Sequence, residues 1–197
     1  GVVSGLAFGV DIAAHQGALA AGGVTVAVVP GSLQPIYPKS HRAFVQPIMV
    51  QGGVLSECPL GAPVYRAHFY QRNRLISGLA RAVLVVEADK RSGSLITARH
   101  ALLQGRDVMA YPGTPGCDQL IRQGAALVTD LGHILETLGI QGDSGLPDQV
   151  GGACRQMHSL SVAQRALLAY IPRAWLGLGV LVQKVAQPLD SVLSMLT

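Results

Sequence analysis

The stretch His68-Phe69-Tyr70-Gln71-Arg72-Asn73-Arg74-Leu75-Ile76-Ser77-Gly78-Leu79 holds the densest set of chemically useful side chains in the sequence. Arg72 and Arg74 are planar forks suited to phosphate oxygens, Asn73 offers an amide able to read a base edge, and Phe69 and Tyr70 offer stacking faces. Single-stranded nucleic acid is bound with those groups, and a turn at Arg72-Asn73-Arg74 would aim them at one ligand. Phe69 taken alone reads equally as a core residue. Lys39, just after Tyr37-Pro38, is a second candidate phosphate contact or else a solvated loop lysine. Charge is distributed in the same sense: from Arg66 to Arg106 eight basic residues stand against two acids, Glu87 and Asp89. Such an excess suits a polyanion, because each phosphate neutralised releases condensed counterions.

Four segments rich in Gly and Ser form a second group: Ser4-Gly5-Leu6-Ala7-Phe8-Gly9-Val10-Asp11, Pro30-Gly31-Ser32, Ser92-Gly93-Ser94 and Pro112-Gly113-Thr114-Pro115-Gly116. In an open parallel sheet, loops of this kind lie beyond the carboxyl ends of the strands, where helix N-termini present free amides. Ser4, Gly5, Gly9, Gly31 and Gly113 are therefore candidate phosphate-loop positions; the same glycines also serve the tight turns every α/β chain needs. Asp11 and His15, four residues apart on one helix face, form a candidate structural pair near that crevice.

Several chemistries have no support. There is no G-x-G-x-x-G followed by an acid about 20 positions on, no G-x-x-x-x-G-K-[ST], no G-x-S-x-G and no H-E-x-x-H. The three cysteines, Cys58, Cys117 and Cys154, are odd in number and lack Cys-x-x-Cys spacing. Neither a zinc site nor a disulfide framework is indicated, and a reducing cytosol fits best. No metal or cofactor is expected.

The elements that must position these groups alternate. Val24–Val29 and Ala82–Val86 are nearly continuous apolar runs, as in strands buried on both faces of a parallel sheet, with weaker versions at Val2-Val3, Val54-Leu55 and Val108-Met109-Ala110. Helical spacing recurs at Val10, Ala13, Ala14, Gly17, Ala18 and Ala21, and at Leu95, Ala98 and Leu102, with stops at Gly22-Gly23 and Gly105. The pattern predicts a doubly wound, mostly parallel α/β sheet over residues 1–140. Residues 141–159, rich in Gly and polar side chains, read as a linker, and 160–197 as two or three short helices, the start of a winged helix without its wing. An apolar fraction of 49% with 13% charged residues and a net charge of +4 describes a globular chain rather than a disordered one. Apolar runs are too interrupted for a membrane span. The opening on Gly1-Val2-Val3, with no signal segment before it, reads as a fragment.

Six ordered motifs now become specific. Ser4-Gly5-x3-Gly9-x-Asp11-x2-Ala14-His15-x2-Ala18-Leu19 is followed by Tyr37-Pro38 and by Phe69-x2-Arg72-Asn73-Arg74-x-Ile76-Ser77-Gly78. Val86-Glu87-Ala88, Ser92-Gly93-Ser94-Leu95-Ile96-Thr97-Ala98 and Gly116-Cys117-x2-Leu120-Ile121-x2-Gly124-Ala125 complete the series. Over residues 1 to about 136 the chain resembles the DNA-processing protein A (DprA/Smf) family. The resemblance implies an extended Rossmann-like fold, single-stranded DNA bound in a basic pocket, homodimerisation, loading of the RecA recombinase and a role in natural transformation. Relative to the family pattern, the first strand with its Gly-Ser-Arg phosphate loop and an N-terminal helical domain do not occur in this sequence.

The function expected is a non-enzymatic recombination mediator that binds single-stranded DNA through Lys39, Phe69, Arg72, Asn73, Arg74, Ser77, Gly78, Ser92, Gly93 and Ser94. A rival is a Rossmann-like hydrolase of nucleoside monophosphates using Glu87. Such an enzyme would carry a Pro-Gly-Gly-x-Gly-Thr loop, where this chain has Pro112-Gly113-Thr114-Pro115-Gly116-Cys117 and Pro115 removes an amide donor. A surplus of apolar residues at Leu102, Leu103, Leu120, Ile121 and Leu127 suggests an oligomer contact, with Leu103 and Leu120 as the expected dimer face.

Overall fold

In a computed structural model of the chain, residues 1–140 are described. The expected linker at 141–159 and helical segment at 160–197, with Cys154 and His158, lie outside the described residues.

Two β-α-β-α-β halves follow one another. The first comprises β1 (Val2–Ser4), α1 (Val10–Ala20), β2 (Thr25–Val28), a 3₁₀ turn at Lys39–His41, α2 (Arg42–Gln51) and β3 (Gly52–Leu55). After the connecting helix α3 (Arg66–Leu79) come β4 (Ala82–Val85), α4 (Ser94–Leu103), β5 (Asp107–Ala110), α5 (Pro115–Arg122), β6 (Ala126–Leu127) and α6 (Leu131–Thr137). Every strand pairing is parallel, in the orders β1-β2-β3 and β4-β5-β6. The α/β class and parallel pairing agree with the sequence, with the six strands paired in two groups of three.

Each half has its own core. Ala27 and Val29 beside β2 pack with Leu6, Ile36 and Ile48. Val83, Val85, Val108 and Ala110 of β4 and β5 pack with Ala98 and Ala101 of α4 and with Cys117 and Leu120 of α5. Small residues on the inner face of α4 let the helix lie close to its sheet. Leu120 is therefore a core residue, which corrects its assignment to a dimer face: it sits on the inner face of α5, whereas Leu103, at the last turn of α4, is 77% exposed.

The helix α3 departs most from expectation. Arg72-Asn73-Arg74 does not form a turn but lies in the middle of a helix of 14 residues. Its buried residues are Arg72, Asn73 and Ser77, all polar, and it packs on α4 as well as on β1 and β2. One element thus spans both halves.

Candidate nucleic-acid interface

Because all strands of the first sheet run parallel, the loops after β1, β2 and β3 gather at one edge. The loop after β1 is organised from beneath. Asp11, in the first turn of α1, accepts hydrogen bonds from the Gly5 and Ala7 amides at 3.1 and 3.2 Å. His41 donates from Nδ1 to the Leu6 carbonyl at 2.8 Å, and Leu6 itself holds a positive φ of 56°, a left-handed conformation in which leucine is rare. From α3, Arg72 Nη1 donates to the Gly5 carbonyl at 2.6 Å and also to the Val28 carbonyl, so a single guanidinium joins the ends of β1 and β2. A Cβ on Gly5 would collide with that guanidinium, so any larger residue there pushes Arg72 away from its carbonyl partners.

Arg72 is 6% exposed, and burial lowers its pKa, with Asp11 opposing. That placement corrects its expected role as an open phosphate fork. Asn73 is buried too, its Nδ2 donating to the Gly93 carbonyl at 3.4 Å. Ser77 is buried and donates to Gln104 Oε1 at 2.6 Å, while Arg106 reaches the Gly78 carbonyl at 3.2 Å. Of the basic triplet only Arg74 is exposed, where it pairs with Glu57 in the loop after β3. The reason is helical geometry: consecutive residues diverge by about 100° and cannot converge on one ligand.

The glycine loops are likewise more occupied than expected. The Gly5 amide is held by Asp11, and the Gly113 amide donates to Asp118 at 3.0 Å. Gly31 is buried against Val64, and its carbonyl accepts from Ser56 at 2.5 Å. Gly9 is exposed with a φ of 80° at the N-terminus of α1, and Ser4 closes β1. Ser92 and Ser94 lie 3.2 Å apart, hydroxyl to hydroxyl, flanking exposed Gly93 at the start of α4. Glu87 is exposed just past β4.

Asp11 and His15 do not bond to each other. The Thr25 hydroxyl donates to the Val2 carbonyl at 3.1 Å and accepts from His15 Nδ1 at 2.6 Å. His15 Nε2 is buried without a hydrogen-bond partner of good geometry. Burial pushes the imidazole down to about 4, against smaller opposing effects of Asp11 and the Ser4 backbone. The pair expected from their spacing does not form: Asp11 holds the loop after β1 and His15 holds Thr25.

What the edge does present is charge. Residues 1–80 contain five basic side chains, Lys39, Arg42, Arg66, Arg72 and Arg74, and two acids, Asp11 and Glu57. Both acids are engaged, Asp11 by backbone amides and Glu57 by Arg74. Lys39, Arg42 and Arg66 are exposed and form no salt bridge among the described residues. Arg42 and Arg66 escaped the sequence reading as contacts because no motif frames them. Phe69, expected as a stacking face, is half-buried and meets Tyr37 edge-on with centroids 5.8 Å apart. No group of three or more His, Cys, Asp or Glu among the described residues is placed to hold a metal, and no described helix is long and apolar enough to cross a membrane.

The family model described as DNA recombination-mediator protein A matches residues 1–139. The chain is 42% identical over 204 residues to the Smf protein of Escherichia coli K12, covering 99% of this chain and 54% of that protein. It is 48% identical over 134 residues to the DNA processing protein DprA of Streptococcus pneumoniae, covering 65% and 48% respectively. Among solved structures, the S. pneumoniae DprA structure superposes with a TM-score of 0.63 at 43% identity, over 72% of this chain and 51% of that one. DNA processing protein A of Helicobacter pylori, whose structure is described for its single-stranded DNA binding mode, superposes at 0.64 with 33% identity, over 69% and 64%. The chain spans about half the length of the curated relatives it matches.

Proposed function

Since this chain belongs to the DNA recombination-mediator protein A family, we propose that it binds single-stranded DNA along the carboxyl edge of β1-β2-β3 and passes the bound strand to the RecA recombinase during natural transformation. The observation that carries this reading is the set of uncompensated cations, Lys39, Arg42 and Arg66, on an edge whose two acids are already engaged. Arg74, sharing its charge with Glu57, stands at the rim. Arg72, Asn73 and Ser77 hold the scaffold that carries the contacts, and Ser92, Gly93 and Ser94 extend the surface onto the second half. The protein acts by holding DNA, without catalysis, metal or cofactor, in the cytoplasm. It does so as a homodimer through a face that includes Leu103.

The test is a salt-dependent titration with oligo-dT and with a duplex of equal length. Tighter binding of the single strand, with affinity falling as salt rises, is the expected result. Equal or preferential duplex binding, or no binding of either, would overturn the reading.

A further inference from the structure

Three aromatic rings stand exposed on the loops that leave the first sheet: Phe8 after β1 at 68%, Tyr37 after β2 at 44% and Tyr65 after β3 at 58%. A single exposed ring needs no explanation, but three on the loops of one sheet edge, each held against a second ring, form a group that a ligand can use. None of the three is loose. Phe8 meets His41 at a centroid distance of 4.6 Å and an interplanar angle of 62°. Tyr37 meets Phe69 at 5.8 Å and 89°, and Tyr65 meets His68 at 5.3 Å and 80°. Two of the bracing rings are themselves fixed, His41 by the Leu6 carbonyl and His68 by the Tyr65 amide at 3.5 Å, and Phe69 is half-buried on α3. An edge-to-face contact takes up at most one face of the outer ring, which is compatible with a base stacking on the other.

The cations lie close to these rings along the chain, with Arg66 also donating from Nε to the Tyr70 hydroxyl at 3.3 Å. Arg42 follows His41, the brace of Phe8; Lys39 is two residues beyond Tyr37; Arg66 adjoins Tyr65. The edge therefore carries three oriented aromatic rings and three cations without a salt bridge among the described residues, Lys39 and Arg42 from the segment after β2 and Arg66 from the start of α3. Flat faces alternating with cations match a polymer of flat bases joined by phosphates, provided the bases are unpaired. A protein partner of complementary charge would supply the anions but not the stacked planes.

We infer that Phe8, Tyr37 and Tyr65 form a three-position stacking platform, each ring taking one unpaired nucleobase while the neighbouring cation takes a phosphate. This rests on the single-strand reading above and adds to it the base-contacting residues. It also explains why the edge would reject a duplex, whose bases are stacked on one another.

The experiment measures binding of the 197-residue chain to labelled oligo-dT and to an abasic deoxyribose-phosphate strand of the same length, by fluorescence anisotropy at two salt concentrations. The wild-type chain is expected to bind oligo-dT at least roughly tenfold more tightly than the abasic strand. Phe8→Ala, Tyr37→Ala and Tyr65→Ala should each weaken oligo-dT binding by roughly five- to tenfold while leaving abasic affinity and the salt slope unchanged. Phe8→Trp, Tyr37→Phe and Tyr65→Phe should retain the preference. Equal affinity of the wild type for the two strands overturns the platform and leaves the single-strand reading standing. Alanine variants that weaken both strands alike overturn it as well, since the rings would then only support the loops. If the wild type binds neither strand, the single-strand reading fails and the platform with it.

Discussion

Asp11 and Arg72 hold Gly5 from its two sides: the carboxylate accepts the Gly5 amide at 3.1 Å, and the guanidinium donates to the Gly5 carbonyl at 2.6 Å. The same Arg72 nitrogen reaches Val28, so the ends of two adjacent strands depend on one side chain from a helix 44 residues further on. Arg72→Ala is expected to destabilise the fold by about 2–4 kcal/mol, because two buried carbonyls lose a charged donor and Asp11 loses a neighbouring cation. Gly5→Ala should lower stability by about 1–3 kcal/mol by displacing that guanidinium. Urea unfolding measures both; a change under about 0.5 kcal/mol in either would deny Arg72 its structural role.

Lys39→Gln and Arg66→Gln should behave oppositely. Both residues are exposed, so stability is expected to stay within about 0.5 kcal/mol of wild type. Each variant should lower the log–log salt slope of oligo-dT binding by about 0.7. An unchanged slope in both would remove these residues from the DNA contact.

His15 is neutral in the fold and has its pKa pushed down to about 4 from an ordinary 6.5. Between those values the unfolded chain binds a proton that the folded chain refuses, so stability rises with pH across the window. On acidification from 6.5 toward 4 this one group is expected to remove about 3 kcal/mol. His15→Gln should flatten the stability profile in that interval even if its absolute stability is lower. A profile as steep as wild type would assign the pH dependence elsewhere.

Leucines at 103 and 120 should separate sharply. Leu120→Arg puts a charge into the second core and is expected to cost about 3–5 kcal/mol or to prevent folding. Leu103→Arg should fold with near-wild-type stability, and if Leu103 lies in a dimer contact, light scattering should show a monomer where the unsubstituted chain is dimeric. A monomeric unsubstituted chain at tens of micromolar would exclude the dimer at that face.

Much of the sheet was legible because its signal is apolar and continuous. Val24–Val29 and Ala82–Val86 have no reading but a buried strand, and Gly22-Gly23 and Gly105 end the helices where the chain turns, Gly22 and Gly105 both at a φ of 65°. The helix α3 was not legible for the opposite reason. Its buried side chains are Arg72, Asn73 and Ser77, so the apolar repeat that marks an inner face is absent, and a polar triplet looks like a ligand-binding turn. The one available clue was the unbroken absence of Gly and Pro from Val64 to Ser77. Leu103 lies on an apolar helix whose faces the sequence does not separate, whereas Cys117, Leu120 and Ile121 share one face of the amphipathic α5, a spacing that could have marked Leu120 as inward. The exposed cations Arg42 and Arg66 carry no motif, and their freedom depends on where the two acids go, which only the fold reveals.

On α3, Arg72 fastens β1 and β2, Asn73 the start of α4, and Arg74 the loop after β3, three consecutive residues facing three directions. Such an arrangement tolerates a change of side chain far better than a change of length. One residue inserted between Arg66 and Arg72 would turn all three anchors by about 100° at once and aim each at the site of another. The segment is thus held to a fixed count, like the teeth of a gear, and insertions that loops of this chain would absorb are expected to be lethal to the fold here.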